Sequence, residues 1–458
     1  RYVSPTGSAT PPYTSWATAA RDIQTAVDAT VNGDTVLVAD GTWWLSSEIL
    51  VTRDITIQSL NGPGSTTVNG GGSVRGFNLG DRTCTVRGFT VMNGFVASLP
   101  GFGGGINCTS ADPVIDNCII TANSAYSGGG GMFRGTAWHC VFQGNDAFLG
   151  GGMDSGRAYH CTVSGNVGLQ NGGGFMQSEA HHCTVRGNES YIGGGMLGGA
   201  ANDCLILHNT ALDTGGGMYN GSAVNCTFYG NYAESQGGGV FDGTARNSII
   251  WYNQTVDGPS DIRGSSTTFY SCSPDVTHGV NGNITNMPGF IDRLGDNYRL
   301  AFHAPGINVG DTAQAASTID LDGRARVVDG TVDMGAYEYD AAVYDSDQNG
   351  IPDYWGIQYF GSATGVVASG HDDLDPMSNG DEYVAGTDPT NSASYFAITE
   401  LELNPTYNLV RWASRTGRVY RVEWVDALRG EFQTLASDLA FPMDLFVDTV
   451  NPGTAGGY

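Results

Sequence analysis

Lysine is absent from the 458 residues, and all 20 basic side chains are Arg. That absence excludes Schiff-base chemistry, a lysine general base and the phosphate-binding loop built around a lysine. Charge is scarce, at 14% of residues against the usual quarter or so, and lopsided: 46 acidic groups give a net charge of −26. A chain this acidic is repelled by phosphate backbones and anionic lipid, which argues against nucleic-acid or membrane-surface binding. No run of 18 apolar residues occurs, so no segment is expected to span a bilayer as a helix. The chain begins at Arg1 rather than Met, which fits a processed or truncated N-terminus, for example a removed secretory signal. What is abundant is glycine, 69 residues, about twice average usage, beside 40% hydrophobic residues that supply a core. Glycine everywhere and little surface charge point to a β-rich repeat.

The repeat is explicit. The hydrophobic residue after each glycine run recurs every 21 or 22 positions, at Met132, Met153, Phe175, Met196, Met218 and Val240. Cys118, Cys140, Cys161, Cys183, Cys204 and Cys226 keep the same beat, with Ser248 in the next slot. So do Asn123, Asn145, Asn166, Asn188, Asn209, Asn231 and Asn253. Two residues after each cysteine stands Ile120, Phe142, Val163, Val185, Ile206 or Phe228, and three before it, from Ala137 on, stands Ala. At about 3.3 Å per residue this period makes one turn of three short strands and their corners. Stacked turns pair each strand with its equivalent about 4.8 Å away, so like residues lie on like. Cysteine and the residue two further on then point inward, as a ladder of structural thiols. Asparagine at a corner passes amide hydrogen bonds up the stack. The expected fold is all-β, a right-handed parallel β-helix.

At these columns the sequence resembles the polymorphic outer-membrane-protein type of repeat, with runs such as Gly150-Gly-Gly-Met153 and elements such as Phe142-Gln-Gly-Asn145, over roughly residues 103–253. The resemblance implies a secreted or surface-exposed, often adhesive protein. Upstream, Ala19, Ile23, Ala26, Val27 and Thr30 share one helical face, stopped by Asn32-Gly33, and would plug the open end of the core. This resembles the N-terminal cap of bacterial secreted β-helix proteins. Gly282-Asn-Ile-Thr285, Pro288-Gly-Phe290, Asp320-Leu-Asp-Gly-Arg324 and Val332-Asp-Met-Gly-Ala-Tyr-Glu338 resemble the closing segment of the same group. The likeness spans about residues 13–340.

Residues 341–394 form an acidic connector. Asp345, Asp347, Asn349 and Asp353 offer oxygen ligands at loop positions 1, 3, 5 and 9, with Gly350 at position 6. Asp373, Asp375, Asn379 and Glu382 suggest a second half-loop. Both resemble EF-hand-like or thrombospondin-type-3-like calcium loops, and calcium is the cofactor this implies. Both depart from the pattern: Gly356 stands where a bidentate Glu belongs, His371 falls at position 1 of the second loop, and Pro376 replaces its turn glycine. The bland alternative is a solvated acidic linker. Residues 395–458 contain Leu409-Val-Arg-Trp412 and Arg418-Val-Tyr-Arg-Val-Glu-Trp424, which alternate like strands of a small β-sandwich and resemble a fibronectin-like tail module. The sequence ends at Gly456-Gly-Tyr458, where that pattern calls for a last strand. Either the sequence is truncated or the open edge accepts a strand from a neighbour, for which the extended segment 1–13 is a candidate donor.

His139, His160 and His182 form one further column, each just before a ladder cysteine, but the column runs on as Asp203, Asn225 and Asn247 and reads as a polar corner. Transition-metal binding there lacks a third ligand fixed by the spacing. Parallel β-helices also house polysaccharide lyases and hydrolases. Here Asp146, Asp154, Arg157 and Arg186 form no recognisable constellation, and Asp372–Asp373 reads as cation ligation, so no catalytic residue is assigned. The expectation is a secreted, extracellular or cell-surface protein of structural or adhesive, non-enzymatic character. It would self-associate, plausibly into a homopolymer or filament, or hold a cell-surface or carbohydrate ligand. The alternative is a polysaccharide-binding or polysaccharide-cleaving, lyase-like protein.

Overall fold

The computed structural model describes residues 1–97, 99–302, 304–416, 418–424 and 433–451, and the chain divides into two units, Arg1–Tyr339 and Asp340–Tyr458. The first unit is a parallel β-solenoid of about eleven turns, and its strands fall into four sheets of 12, 10, 9 and 10. One turn shows the plan. Thr136–Trp138 lies in the first sheet, Val141–Gln143 in the second, Asp146–Leu149 in the third and Met153–Asp154 in the fourth, each pairing with the turn before and after, the third with a register shift between Ala147 and Leu149.

The sequence pattern suggested three strands per turn, and the structure has four. The residues after each ladder asparagine also pair, because Ala125, Ala147, Gly168, Ala211 and Ala233 present small inward groups that let this wall close on the core. The core is a set of stacked columns. Ala137, Ala158, Ala180 and Ala201 come from the first sheet, Phe142, Val163, Val185 and Ile206 from the second, and Met153, Phe175, Met196 and Met218 from the fourth, all fully buried. The glycine runs are sterically required. Gly150 has φ 58°, and a Cβ on Gly151 would lie 2.4 Å from the carbonyl oxygen of Val167.

The start of the solenoid is plugged by α1 (Ile23–Asp28), which buries Ile23, Ala26 and Val27 and is capped by Asp22, whose carboxylate accepts from Thr25 N. The N-terminal segment, offered by the sequence as a free donor strand, is engaged in its own unit: Tyr2–Val3 pairs with Leu37–Val38 and Val3 is fully buried. At the far end, residues 285–339 turn back along the outside of the second sheet. Outward Leu205, Leu207 and Tyr229 pack on Tyr298 and Ala336, and outward Thr227 is buried there with its hydroxyl accepting from Ala336 N, whereas the equivalent Thr162 and Thr184 are only half-buried.

In the second unit, α2 (Asp353–Phe360) and α3 (Asn379–Ala385) interrupt the acidic connector, and α3 begins with a capping box between Ser378 and Asp381. Two antiparallel sheets follow. Ile398–Asn404, Tyr407–Trp412 and Leu445–Asp448 form one, Val419–Trp424 and Gln433–Ala440 the other, around Val410, Trp412 and Val422. The terminal Gly456-Gly-Tyr458 lies outside the described residues.

Candidate functional site

Two polar ladders run inside the solenoid. Each amide oxygen of Asn145, Asn166, Asn188, Asn209, Asn231 and Asn253 accepts from both the backbone N–H and the Nδ2 of the asparagine one turn earlier, at 2.8–3.0 Å. Asn123 starts the ladder by accepting from Gly94 N. Asp261 ends it, its Oδ1 accepting from Asn253 N and Nδ2 at 2.9 and 2.7 Å. Burial pushes the Asp261 carboxyl up to about 7.

The cysteines form the second ladder. Cys140, Cys161 and Cys183 donate their N–H to the sulfur one turn on, at 3.3–3.4 Å, and each sulfur donates to the carbonyl two residues before it. Ser248 and Ser271 continue the same pattern with oxygen. All nine thiols are buried, and burial raises those of Cys108, Cys140, Cys183 and Cys204 well above the ordinary range. These are structural hydrogen-bonding groups rather than reactive ones.

The histidine corner is a stack. His139, His160 and His182 all have φ near +52° and lie ring over ring at 5.6 and 4.8 Å, within 14° of parallel. Beside them Trp138, Tyr159 and His181 stack at 4.2 and 4.7 Å. His139 is exposed beside Asp116, whereas His182 is buried against the carbonyl of Ile319 and lies 3.8 Å from Asp203. Asp203 in turn faces Arg326 at 3.4 Å, both fully buried.

The residues weighed as catalytic stand apart. Asp146 accepts from Ser124 Oγ, Asp154 is buried beside Ser155, Arg157 pairs with Glu179, and Arg186 with Asp296. They share no cleft.

The most conspicuous surface lies on the third sheet. Tyr126, Phe148, Leu169, Tyr191 and Leu212 stand three residues after successive ladder asparagines, point outward and are 44–65% exposed. At about 4.8 Å per turn the column runs about 19 Å along the solenoid. Its N-terminal end opens into a groove of 660 Å³ lined by Phe95, Leu99, Phe102, Tyr126, Phe148 and Leu169. The column sits between the asparagine and glycine beats and its members differ in identity, so its signal in the sequence is only the constant spacing from each asparagine.

In the acidic connector the eight oxygen-bearing residues do not gather into one site. Asp345 accepts from Asn349 N and Gly350 N, Asp347 from Gly365 N, Asn349 from Ile351 N, and Asp353 from Ser346 N and Oγ. The side-chain oxygens of Asp345, Asn349 and Asp353 serve donors within their own loop, that of Asp347 serves Gly365 N, and Gly356 lies inside α2. Asn379 donates to Asp372 and Val367. Only Asp373, Asp375 and Glu382 bring oxygens within 4.8 Å of one another, and burial, then Asp373 and Asp375, push Glu382 up to about 7.

A family model described as "Periplasmic copper-binding protein (NosD)" matches residues 83–284, less than half of the chain. No curated protein sequence matches. Among solved structures, pectate lyase Pel9A is similar at 12% identity over 74% of this chain and 97% of its own, with a TM-score of 0.48. A PL6 family polysaccharide lyase from Pseudopedobacter saltans (11%, 55% and 83%, 0.32) and the A-module of the Azotobacter vinelandii mannuronan C-5 epimerase AlgE6 (13%, 54% and 95%, 0.28) are similar more distantly. These likenesses carry no residue role, and the solenoid assignment rests on the strand register itself.

Calcium, expected from the acidic loops, is overturned as the cofactor: the family match is described by copper, and Asp345, Asp347, Asn349 and Asp353 use side-chain oxygens on nearby N–H and hydroxyl donors. The residues of the matched span do not fit copper either. Its thiols are sealed and hydrogen-bonded, its stacked imidazoles point alongside one another rather than toward a shared centre, and among the described residues no three metal-ligating groups converge between 83 and 284. The matched region is similar to a copper-binding family in its repeat, with no copper centre among its described side chains.

Proposed function

We propose that the protein is a non-enzymatic, extracytoplasmic adhesive solenoid that works by presenting one continuous wall to a ligand or surface. The observation that carries this reading is the exposed column Tyr126, Phe148, Leu169, Tyr191 and Leu212. An apolar stripe repeated over five turns is costly to leave in water and marks an interaction face. Dispersal of Asp146, Asp154, Arg157 and Arg186 over separate positions supports a binding rather than a catalytic reading. The periplasmic description of the matching family supports a place outside the cytoplasm.

The test compares the wild type with a Tyr126→Ser/Phe148→Ser/Tyr191→Ser variant for retention on immobilised polysaccharides and for self-association by sedimentation. Adhesion or self-association lost in the variant, with its circular dichroism unchanged, supports the reading. Release of unsaturated or shortened products from a polysaccharide would overturn its non-enzymatic part.

A further inference from the structure

Resting on that adhesive reading, we propose that the occupant of the third-sheet wall is an uncharged glycan chain lying along the solenoid axis, its sugar faces packed on Tyr126, Phe148 and Tyr191. The argument begins with the rings. They sit on a sheet whose side chains repeat at about 4.8 Å, so the wall offers a row of similar contacts in line, which suits a linear polymer of similar units. Sugar rings carry a C–H face that packs on an aromatic or aliphatic side chain and hydroxyl edges that seek hydrogen-bond acceptors.

Those acceptors are present. Asp146 and Glu189 stand exposed two residues before Phe148 and Tyr191 on the same outward face, and Asp213 and Glu234 follow further along. An ionised carboxylate only accepts, so it suits a hydroxyl donor.

Charge decides the class of glycan. The strands and corners of this sheet, residues 93–103, 123–128, 145–150, 166–172, 188–193, 209–215 and 231–237, contain no Arg, Lys or His. The Arg75 guanidinium, held against the corner at Phe102 O and Gly103 O, is already paired with Glu48, so a uronic-acid polymer laid here would meet carboxylates that these segments offset with no cation of their own, in a chain of net charge −26. Of the Arg side chains on the first and second sheets, Arg87, Arg157 and Arg186 are paired with Asp116, Glu179 and Asp296, and Arg246 lies over the Phe269 ring. An uncharged chain meets no such repulsion. The groove at the Phe95–Phe102 end, with its apolar walls, would hold one terminus of the chain.

Cellohexaose, N-acetylated chitohexaose, a partly deacetylated cationic chitosan oligomer and polygalacturonate serve as probes, titrated into the full chain by calorimetry at low and high NaCl. The expected result is binding of one of the two uncharged hexaoses, insensitive to salt, with no binding of polygalacturonate. Tyr126→Ala and Tyr191→Ala should each weaken it about tenfold, Tyr126→Phe should retain it, and all three should keep the wild-type circular dichroism. Binding of neither neutral probe, preference for polygalacturonate, salt-sensitive binding of chitosan alone, or unchanged affinity in both alanine variants would overturn the proposal. Self-association lost in Tyr191→Ala without any glycan binding would overturn the glycan occupant and leave the adhesive reading standing. Cleavage of a bound hexaose would do the reverse, removing the non-enzymatic reading and keeping the occupant.

Discussion

Asp203 and Arg326 face one another at 3.4 Å with neither side chain exposed, joining a corner of the solenoid to a segment 123 residues further along the chain. Arg326 also donates to the carbonyl of Gly335, and neighbouring corner residues hold the same segment: Asn225 donates to Asp333 O, and Asn247 exchanges hydrogen bonds with Asp311. Removing one partner of a buried ion pair leaves the other charge stranded. Arg326→Met is expected to destabilise the solenoid by about 3–5 kcal/mol. Hydrogen exchange over residues 308–337 should rise first. The Asp203→Asn/Arg326→Met double variant should recover part of the loss, and additive losses would show that the two groups act independently.

The asparagine ladder sets a second expectation. In Asn166→Ala, Asn145 N and Nδ2 lose their acceptor and Phe142 O loses its donor, all in a dry core. Leaving such groups unsatisfied costs on the order of 1–3 kcal/mol each. Chemical denaturation should therefore show a loss of at least about 2 kcal/mol, against less than about 0.5 kcal/mol for an exposed Thr or Ser replaced on the outer wall.

Acidity should strengthen the first unit. Burial pushes Asp261 up to about 7, Asp333 to about 6 and Glu338 to about 8. Between the ordinary carboxyl range and these values the folded protein holds protons that the unfolded chain releases, so stability declines as pH rises from about 5 to 8. Thermal unfolding followed at pH 5 and pH 8 should give the higher midpoint at pH 5. Asp261→Asn keeps an acceptor for Asn253 and should flatten the slope, with its gain visible at pH 8.

Cysteine chemistry offers a fourth check. Cys161→Ser preserves the acceptor for Cys140 N and the donor to Tyr159 O, as Ser248 does naturally, so it should cost little. Cys161→Ala removes both and should cost about 1–2 kcal/mol by denaturant titration. A thiol reagent should label none of the nine cysteines until the solenoid is unfolded.

Much of the first unit was legible because stacking turns a period into geometry: the cysteine and asparagine beats at 21–22 residues fix register, and α1 announced itself by its apolar face. What stayed hidden lacks a period. Arg326 is one residue in an unrepeated segment, and nothing in its neighbours tells that it reaches Asp203. The apolar wall keeps its spacing but changes identity from Tyr to Phe to Leu, so a search for repeated letters misses it. In the acidic connector the spacing of Asp345, Asp347 and Asn349 resembled a cation loop, yet short polar side chains serve backbone N–H groups equally well, and here they do so.

The amide ladder also gives the solenoid a grain. Every amide oxygen from Asn145 to Asn253 faces the same way along the axis, so a turn copied and spliced between Asn166 and Asn188 would find a waiting acceptor ahead and a waiting donor behind. The same insertion after Asn253 would meet Asp261, whose side chain carries no amide donor to continue the series and whose backbone N–H is already held by Asp275 Oδ2. Length in this architecture is therefore adjustable from the middle and sealed at the end, a one-way zip whose last tooth is an acid.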